Sequence, residues 1–500
     1  MTNDIRVRFA PSPTGSLHIG GARLVMYNVL FAHGQAKREG KEGKFVLRIE
    51  DTDRKRLIEG SVENLMEGLR WLGLEWDEGP DVGGPYAPYV QSERKHRYGE
   101  YAHQLVEEGK AYHCFCSAER LQAVREEQQK QKLPPGYDRH CRNLSPEEVQ
   151  TKIDAGEKSV IRFAMPLDGQ TIVPDLLRGD IVYENNTIDD LVILKSDGYP
   201  TYHLAVVVDD HEMEITHITR GPEWIPTAPL HVQLYQALGW DLPVFAHMPL
   251  ILNPNGGKLS KRHGGVTLND FREGGYLPEA LLNYFALLGW SLDGKTEIYS
   301  FDDLLQHFQL EKVSPSPSTF DRQKLDWLNA QWINHHLTTE DLALRVMPWL
   351  IDAGMIENAP VDDNHPQYET VVELSGLLKD RIHFLTEAPD LMSYFLIDEL
   401  PDYDAALLVP KKMDAETALK VLDNVALALP NLNLGDLEQT ETALRALAEN
   451  MELKPGQLFM PIRVAACGRA QSPGLFETLA AVGKDRLIER VDLARKKLAG

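Results

Sequence analysis

Four cysteines in 500 residues are too few for a disulfide framework, and that scarcity suits a reducing compartment. Long apolar runs are missing as well, since no window reaches the roughly 20 residues a membrane-spanning helix needs. The first residues carry neither an apolar signal core nor an Arg/Ser-rich leader. A cytoplasmic protein without a membrane is the expectation. Positive charge is the third shortage, with 52 Lys and Arg against 75 Asp and Glu, a net charge of −23. Phosphate backbones are held mainly by Lys and Arg. Composition alone therefore speaks against a nucleic-acid partner unless the basic residues gather on one face. What is present is ordinary for a soluble chain: 43% apolar, 25% charged, and length enough for several domains.

The stretch that organises the rest is Arg8-Phe9-Ala10-Pro11-Ser12-Pro13-Thr14-Gly15-Ser16-Leu17-His18-Ile19-Gly20-Gly21-Ala22-Arg23. Residues 5–9 alternate apolar with basic, the pattern of a short strand, and Pro11 and Pro13 end it. A helical pattern starts near Leu17 and runs to about residue 38, so His18, Gly20 and Gly21 fall at the helix start. A helix N-terminus presents unpaired N–H groups and partial positive charge, which suits a phosphate. The plainer alternative is that His18 caps the helix and the glycines pack it. Far downstream, Gly256-Gly257-Lys258-Leu259-Ser260-Lys261-Arg262-His263-Gly264-Gly265 sets basic side chains between paired glycines. Such a loop can close over a triphosphate and offer Lys258 and Lys261 to the charge developing on pyrophosphate.

Together the two stretches resemble the paired signatures of class I aminoacyl-tRNA synthetases. The wording Arg-x-Ala-Pro-Ser-Pro-Thr-Gly-x-x-His-x-Gly is similar to bacterial glutamyl-tRNA synthetases, and that resemblance runs along essentially the whole chain. It implies ATP with Mg²⁺ across the helix start, L-glutamate as amino acid and the glutamate tRNA, tRNA(Glu), as acceptor. His18, Lys258 and Lys261 are the implied catalytic residues. Gly20, Gly21, Glu223, Trp224, Leu259 and Ser260 complete the ATP site, and Arg8, Ala10, Ser12, Glu50, Tyr202 and Arg220 the glutamate site. Selecting a carboxylate needs fixed cations, best as guanidinium forks, the role that falls to Arg8 and Arg220. A salt bridge to Glu50 or Glu223 is the alternative for both. Glu50 is the implied partner of the α-amino group, whereas Asp53, an implied tRNA contact, would also serve as a helix cap.

Three departures from the family pattern stand out. The first signature ends Gly20-Gly21 instead of Gly-His, and the second Lys261-Arg262 instead of Lys-Ser. Val206 stands where other members carry Asn.

The 202–210 run, with Val206-Val207-Val208 after a Gly/Pro turn, reads as a buried strand. Cys114, Cys116 and Cys141, with Tyr137 and His140 near the third, suffice for a four-coordinate structural Zn²⁺. The resemblance chooses Tyr137 as fourth ligand, unaided chemistry would choose His140, and three uncoordinated thiols remain the alternative. Cys467 reads as a packing residue.

From about residue 338 nearly everything is helical. The expected fold is therefore α/β: a Rossmann-type parallel-sheet catalytic domain (1–90 and 196–250) with an inserted acceptor-end domain (91–195). A stem-contact domain (251–337) and two all-α anticodon-binding domains (338–388 and 389–500) follow. Arg381, Arg463, Ser472 and Leu475 fall on family positions for anticodon contact. Arg381 goes with discriminating enzymes that charge only tRNA(Glu), the alternative being an arginine paired with Asp380 or Glu387. A monomer is expected. Competing readings are a non-discriminating enzyme that also charges tRNA(Gln), a glutaminyl enzyme, a nucleotidyltransferase, a tRNA-modifying relative, and a synthetase-like tRNA-binding protein without charging activity. The helical tail, His18 and Lys261 argue against the last four.

Overall fold

The computed structural model describes residues 4–53, 56–257, 259 and 265–500. It divides into two compact units, Met1–Arg272 with Pro278–Leu325, and Glu273–Leu277 with Asp326–Gly500.

The first unit is built on a six-stranded sheet of β1 (Ile5–Phe9), β2 (Gly43–Leu47), β5 (Gln170–Asp175), β6 (Gly179–Glu184), β8 (His217–Arg220) and β9 (Val244–His247), in the order β2-β1-β8-β9-β5-β6. All pairings are parallel except β5 with β6. β1 has β2 on one side and β8 on the other, so the strand order reverses there. Open α/β sheets bind ligands at the carboxyl ends of strands at such a switch point. All five residues of β1 are buried, the two arginines included. Alternation would leave Arg6 and Arg8 in water on a half-covered sheet; here each meets a buried carboxylate, Glu78 and Asp210.

Helix α1 (Ile19–Val29) follows β1, continues as a π-helical turn at Leu30–Gln35 and ends with Ala36–Arg38. The expected helix over 20–38 is therefore there, with one loosened turn. Asn28 ties α1 to the sheet: its Nδ2 donates to the Arg8 carbonyl (3.2 Å) and its Oδ1 accepts from Thr219 Oγ1 (2.6 Å). A second, antiparallel sheet of β3 (Ala111–Cys114), β4 (Val160–Phe163) and β7 (Val192–Leu194) has the order β3-β4-β7.

The expected strand over 202–210 is a helix, Tyr202–Glu212. Leu204 through Asp210 are all buried, packed against Tyr98, Ala102 and Leu105 as well as Leu230 and Leu234. A helix covered on every side has no polar face, so its run of valines lacks the 3.6-residue period that identifies an amphipathic helix. Burial on all faces overrides the strand preference of the valines.

The second unit is helical from Thr339–Asp352, opened by a Thr338/Asp341 capping box, to Lys484–Ala499. The helical tail expected from residue 338 is present. Cys467 is buried in the Pro455–Cys467 helix, and burial pushes its thiol up to about 11, as befits a packing residue.

Candidate active site

The carboxyl ends of β1 and β8 open into a cavity of about 1060 Å³. It is lined by Arg8, Ala10, Ser12, His18, Gly20, Gly21, Glu50, Asp53, Tyr202, Arg220, Glu223, Trp224 and Leu259. Stretches from both ends of the catalytic sequence, near residues 8–53 and 202–259, thus share one wall. Lys258, Ser260 and Lys261 lie outside the described residues.

His18 is the N-cap of α1, and its Nδ1 accepts from the Gly20 N–H (3.1 Å). That bond puts the ring proton of a neutral His18 on Nε2, so capping engages only one of the two ring nitrogens. Gly21 packs closely, and any larger residue would push the Leu17 side chain aside. A Cβ there would stand 2.7 Å from Leu17 Cδ1 and 3.4 Å from Phe9 Cζ.

The side chains bonded to the two arginines are other than the Glu50 and Glu223 of the salt-bridge alternative. Arg8 makes a fork to Asp210 (Nε to Oδ1 3.0 Å, Nη2 to Oδ2 3.2 Å) and gives Nη1 to the Thr219 carbonyl (3.1 Å). Arg220 is held by imidazoles, His247 Nε2 at 3.0 Å and His231 Nδ1 at 2.9 Å. Behind Arg8 runs a buried charge network. Arg48, with no exposed surface, reaches Asp210 (2.8 Å), Glu50 (3.2 Å) and Asp209 (3.7 Å), and Asp209 also takes Arg94 (2.7 Å). Arg8, Asp210, Arg48 and Glu50 form a chain of alternating charge across the cavity floor. Burial pushes the Glu50 carboxyl up to about 7 against the pull of Arg48 and Arg8. Tyr202 stacks on Trp224 with centroids 4.2 Å apart, and burial lifts its phenol to about 12, which keeps it neutral. Asp53 pairs with Arg56 at 2.6 Å.

Residues 4–327 match the family model of class I tRNA synthetases (E and Q), catalytic domain, and 341–495 an anticodon binding domain. A glutamate–tRNA ligase of Dehalococcoides mccartyi is 46% identical over all of this chain and 99% of its own length. One from Treponema denticola is 42% identical over 98% of this chain and 99% of its own. The crystal structure of a glutamate tRNA ligase from Elizabethkingia meningosepticum, in complex with its amino acid, superposes with a TM-score of 0.87. It is 37% identical and covers 99% of this chain and 100% of its own. The chain belongs to the class I tRNA synthetases, among the glutamate–tRNA ligases.

Away from the cavity, this synthetase gathers Cys114, Cys116 and Cys141 with their sulfurs within 4.8 Å of one another. The Tyr137 hydroxyl is 3.3 Å from Cys114 Sγ and 3.4 Å from Cys116 Sγ, and Cys116 and Cys141 are 3.5 Å apart. A tetrahedral ion with bonds of about 2.3 Å to sulfur needs sulfur–sulfur edges of about 3.8 Å, so the donor set fits one. His140 is exposed and outside this group. Arg120 Nη1 donates to Cys116 Sγ (3.4 Å) and Arg162 sits 3.8 Å over the Tyr137 ring. Against burial, the Tyr137 hydroxyl and Arg162 help hold the Cys114 thiol below its ordinary value, whereas burial pushes Cys116 up to about 11.

In the helical unit Arg463 donates to Ser472 Oγ and to the Pro473 carbonyl, and both Arg463 and Arg381 act electrostatically on Tyr394. Arg381 is exposed at the end of the Lys379–Arg381 turn. Glu387 spends its carboxylate on the backbone N–H groups of His383 and Phe384. Leu475 is buried at the start of the Leu475–Val482 helix.

Proposed function

We propose that this synthetase joins L-glutamate to the 3′ end of tRNA(Glu) through a glutamyl-adenylate formed in the 1060 Å³ cavity. The observation that carries the reading is one cavity holding both a His-capped helix start and a buried arginine pocket. ATP lies across His18, Gly20 and Gly21, with Glu223, Trp224, Leu259 and Ser260 completing its site. Glutamate's side-chain carboxylate faces Arg8 and Arg220, its ammonium faces Glu50, and Ala10, Ser12 and Tyr202 shape the space between. The α-carboxylate attacks the α-phosphorus in line and expels pyrophosphate. His18 donates to the phosphates while Lys258 and Lys261 neutralise charge on the leaving group. The terminal adenosine hydroxyl of the tRNA, guided past Asp53, then attacks the adenylate's carbonyl carbon, taking the glutamyl group and releasing AMP. Catalysis here is positioning plus electrostatics. Mg²⁺ accompanies the triphosphate. As in the family it resembles, tRNA binding precedes activation.

Arg381, Arg463 and Ser472 face the anticodon, with Arg381 stacking on an unpaired base and the buried Leu475 packing behind them, and the enzyme is of the discriminating type. Charging assays on purified tRNA(Glu) and tRNA(Gln) test this. Glutamate goes onto the first alone, and Arg381→Ala narrows the gap; equal charging of both sinks the discriminating reading, and charging of neither sinks the function.

Two further results are expected. Glutamate binding weakens as pH falls through about 7, because protonation of Glu50 removes the anion facing the ammonium. The Kd measured by titration rises approximately tenfold per pH unit below that value, and Glu50→Gln flattens the profile. Cys114, Cys116, Cys141 and Tyr137 hold one structural Zn²⁺ that braces β3 against the loop carrying Tyr137. Elemental analysis gives one zinc per chain, and Cys114→Ser loses it.

A further inference from the structure

Arg8 and Arg220 share the cavity but differ in what balances them. Arg8 is paired with Asp210. Arg220, only 4% exposed, has imidazoles where Arg8 has a carboxylate. Its Nε donates to His247 Nε2 (3.0 Å) and its Nη1 to His231 Nδ1 (2.9 Å). Its Nη2 is buried with no hydrogen-bond partner among the described residues.

A guanidinium only donates, so both imidazole nitrogens that face it must accept. The tautomers follow. His247 carries its proton on Nδ1, which donates to Asp175 Oδ2 at 2.6 Å. His231 carries its proton on Nε2 and donates to His203 Nδ1 at 3.0 Å. Both rings are neutral in this arrangement. Burial and the charge of Arg220 act in the same direction, holding His231 well below the usual histidine range and His203 at about 4. The Tyr202 hydroxyl and, more weakly, Asp210 attract Arg220, but Asp210 is already forked to Arg8. Asp175 lies beyond His247 and is further occupied by the backbone N–H groups of His247, Leu177 and Arg178.

We infer that His231 and His247 are specificity-determining positioning residues: they fix the Arg220 fork through two neutral acceptors and leave it without a hydrogen-bonded carboxylate. Only an anionic side chain entering the cavity supplies one. A carboxamide of the same shape supplies an acceptor but no charge, and leaves a buried cation unpaired. Had the same fork been held by an aspartate, as Arg8 is, the pocket would be electrically closed and acid and amide would compete on nearly equal terms. The inference rests on the reading of this cavity as the amino-acid site.

Charge and hydrogen bonding are separable by substitution. His231→Asn and His247→Gln keep a neutral acceptor near the lost nitrogen, whereas His231→Asp and His247→Glu place a carboxylate there. The measurement is the dissociation constant of L-glutamate and of L-glutamine, by calorimetry on the full-length enzyme with tRNA(Glu) bound. The neutral variants stay within about threefold of wild type in the glutamine-to-glutamate ratio. The acidic variants lose at least about tenfold in glutamate affinity and at least about tenfold in that ratio. Acidic variants with wild-type selectivity, or neutral variants as impaired as the acidic ones, overturn the inference alone. A wild-type enzyme that binds neither amino acid overturns the site reading with it. A second measurement requires no variant: nitrogen NMR on histidine-labelled wild-type protein finds His231 Nδ1 and His247 Nε2 unprotonated at pH 7. A doubly protonated ring at either position contradicts the inference, even where the acidic variants fail to fold.

Discussion

Arg220→Ala lowers kcat/KM for glutamate by about 10²–10³-fold, the scale of one buried charge-assisted pair, and leaves thermal unfolding unchanged or slightly raised. The two halves of this result have one cause. Arg220 is a buried cation whose hydrogen-bonded side chains are imidazoles, with Asp210 acting on it only from a distance and already forked to Arg8, so the desolvation cost of burial outweighs the attraction it receives. Removing it sheds that cost and loses two bonds to imidazoles, and on the proposed reading the substrate carboxylate loses a partner. Arg220→Lys keeps the charge but not the planar fork, and recovers only part of the loss. Steady-state aminoacylation kinetics beside a melting curve read both halves.

Arg48→Met has the opposite profile. Arg48 has no exposed surface and stands among Asp209, Asp210 and Glu50. Breaking such a network from one side leaves buried carboxylates uncompensated, at a cost of about 3–5 kcal/mol. Arg94 still serves Asp209 and Arg8 still serves Asp210, which leaves Glu50 the most exposed to the loss. The pH dependence has a definite sign. The Glu50 carboxyl already sits at about 7 in the folded protein, above its ordinary 4.5, because burial disfavours the charged form. A group raised on folding contributes stability that is present below its unfolded value and lost as pH rises through the folded one. Without Arg48 the value rises further, so the deficit of Arg48→Met relative to wild type is larger at pH 8 than at pH 5. Urea unfolding at the two pH values measures it.

The contrast between these two arginines also marks what the sequence makes legible. Local signals carried β1, the helix start at His18 and the helical tail, because Pro, Gly and apolar period act within a few residues. The cavity wall was legible through motif wording, which brought Arg8, Glu50, Tyr202 and Arg220 to one place before any geometry was known. What stayed hidden depends on contacts across long separations. The Tyr202–Glu212 helix looked like a strand because tertiary burial erased its polar face. Asp210 lies 202 residues from Arg8, and nothing in a single sequence pairs them. His231 and His247 sit in apolar stretches where a lone histidine reads as packing, and only the geometry sets both against Arg220. The adjacent acids of Asp209-Asp210, within an otherwise apolar buried run, were the one available hint of a buried ion network.

The central claim is that the cavity is built to load an amino acid with an anionic side chain onto tRNA. Labelled glutamate and labelled glutamine, each with ATP and purified tRNA(Glu), test it in one assay. Acid-precipitable glutamyl-tRNA forms, and no glutaminyl-tRNA above background. Glutamine charged as well as glutamate, or neither amino acid charged by folded enzyme on intact tRNA, would contradict it.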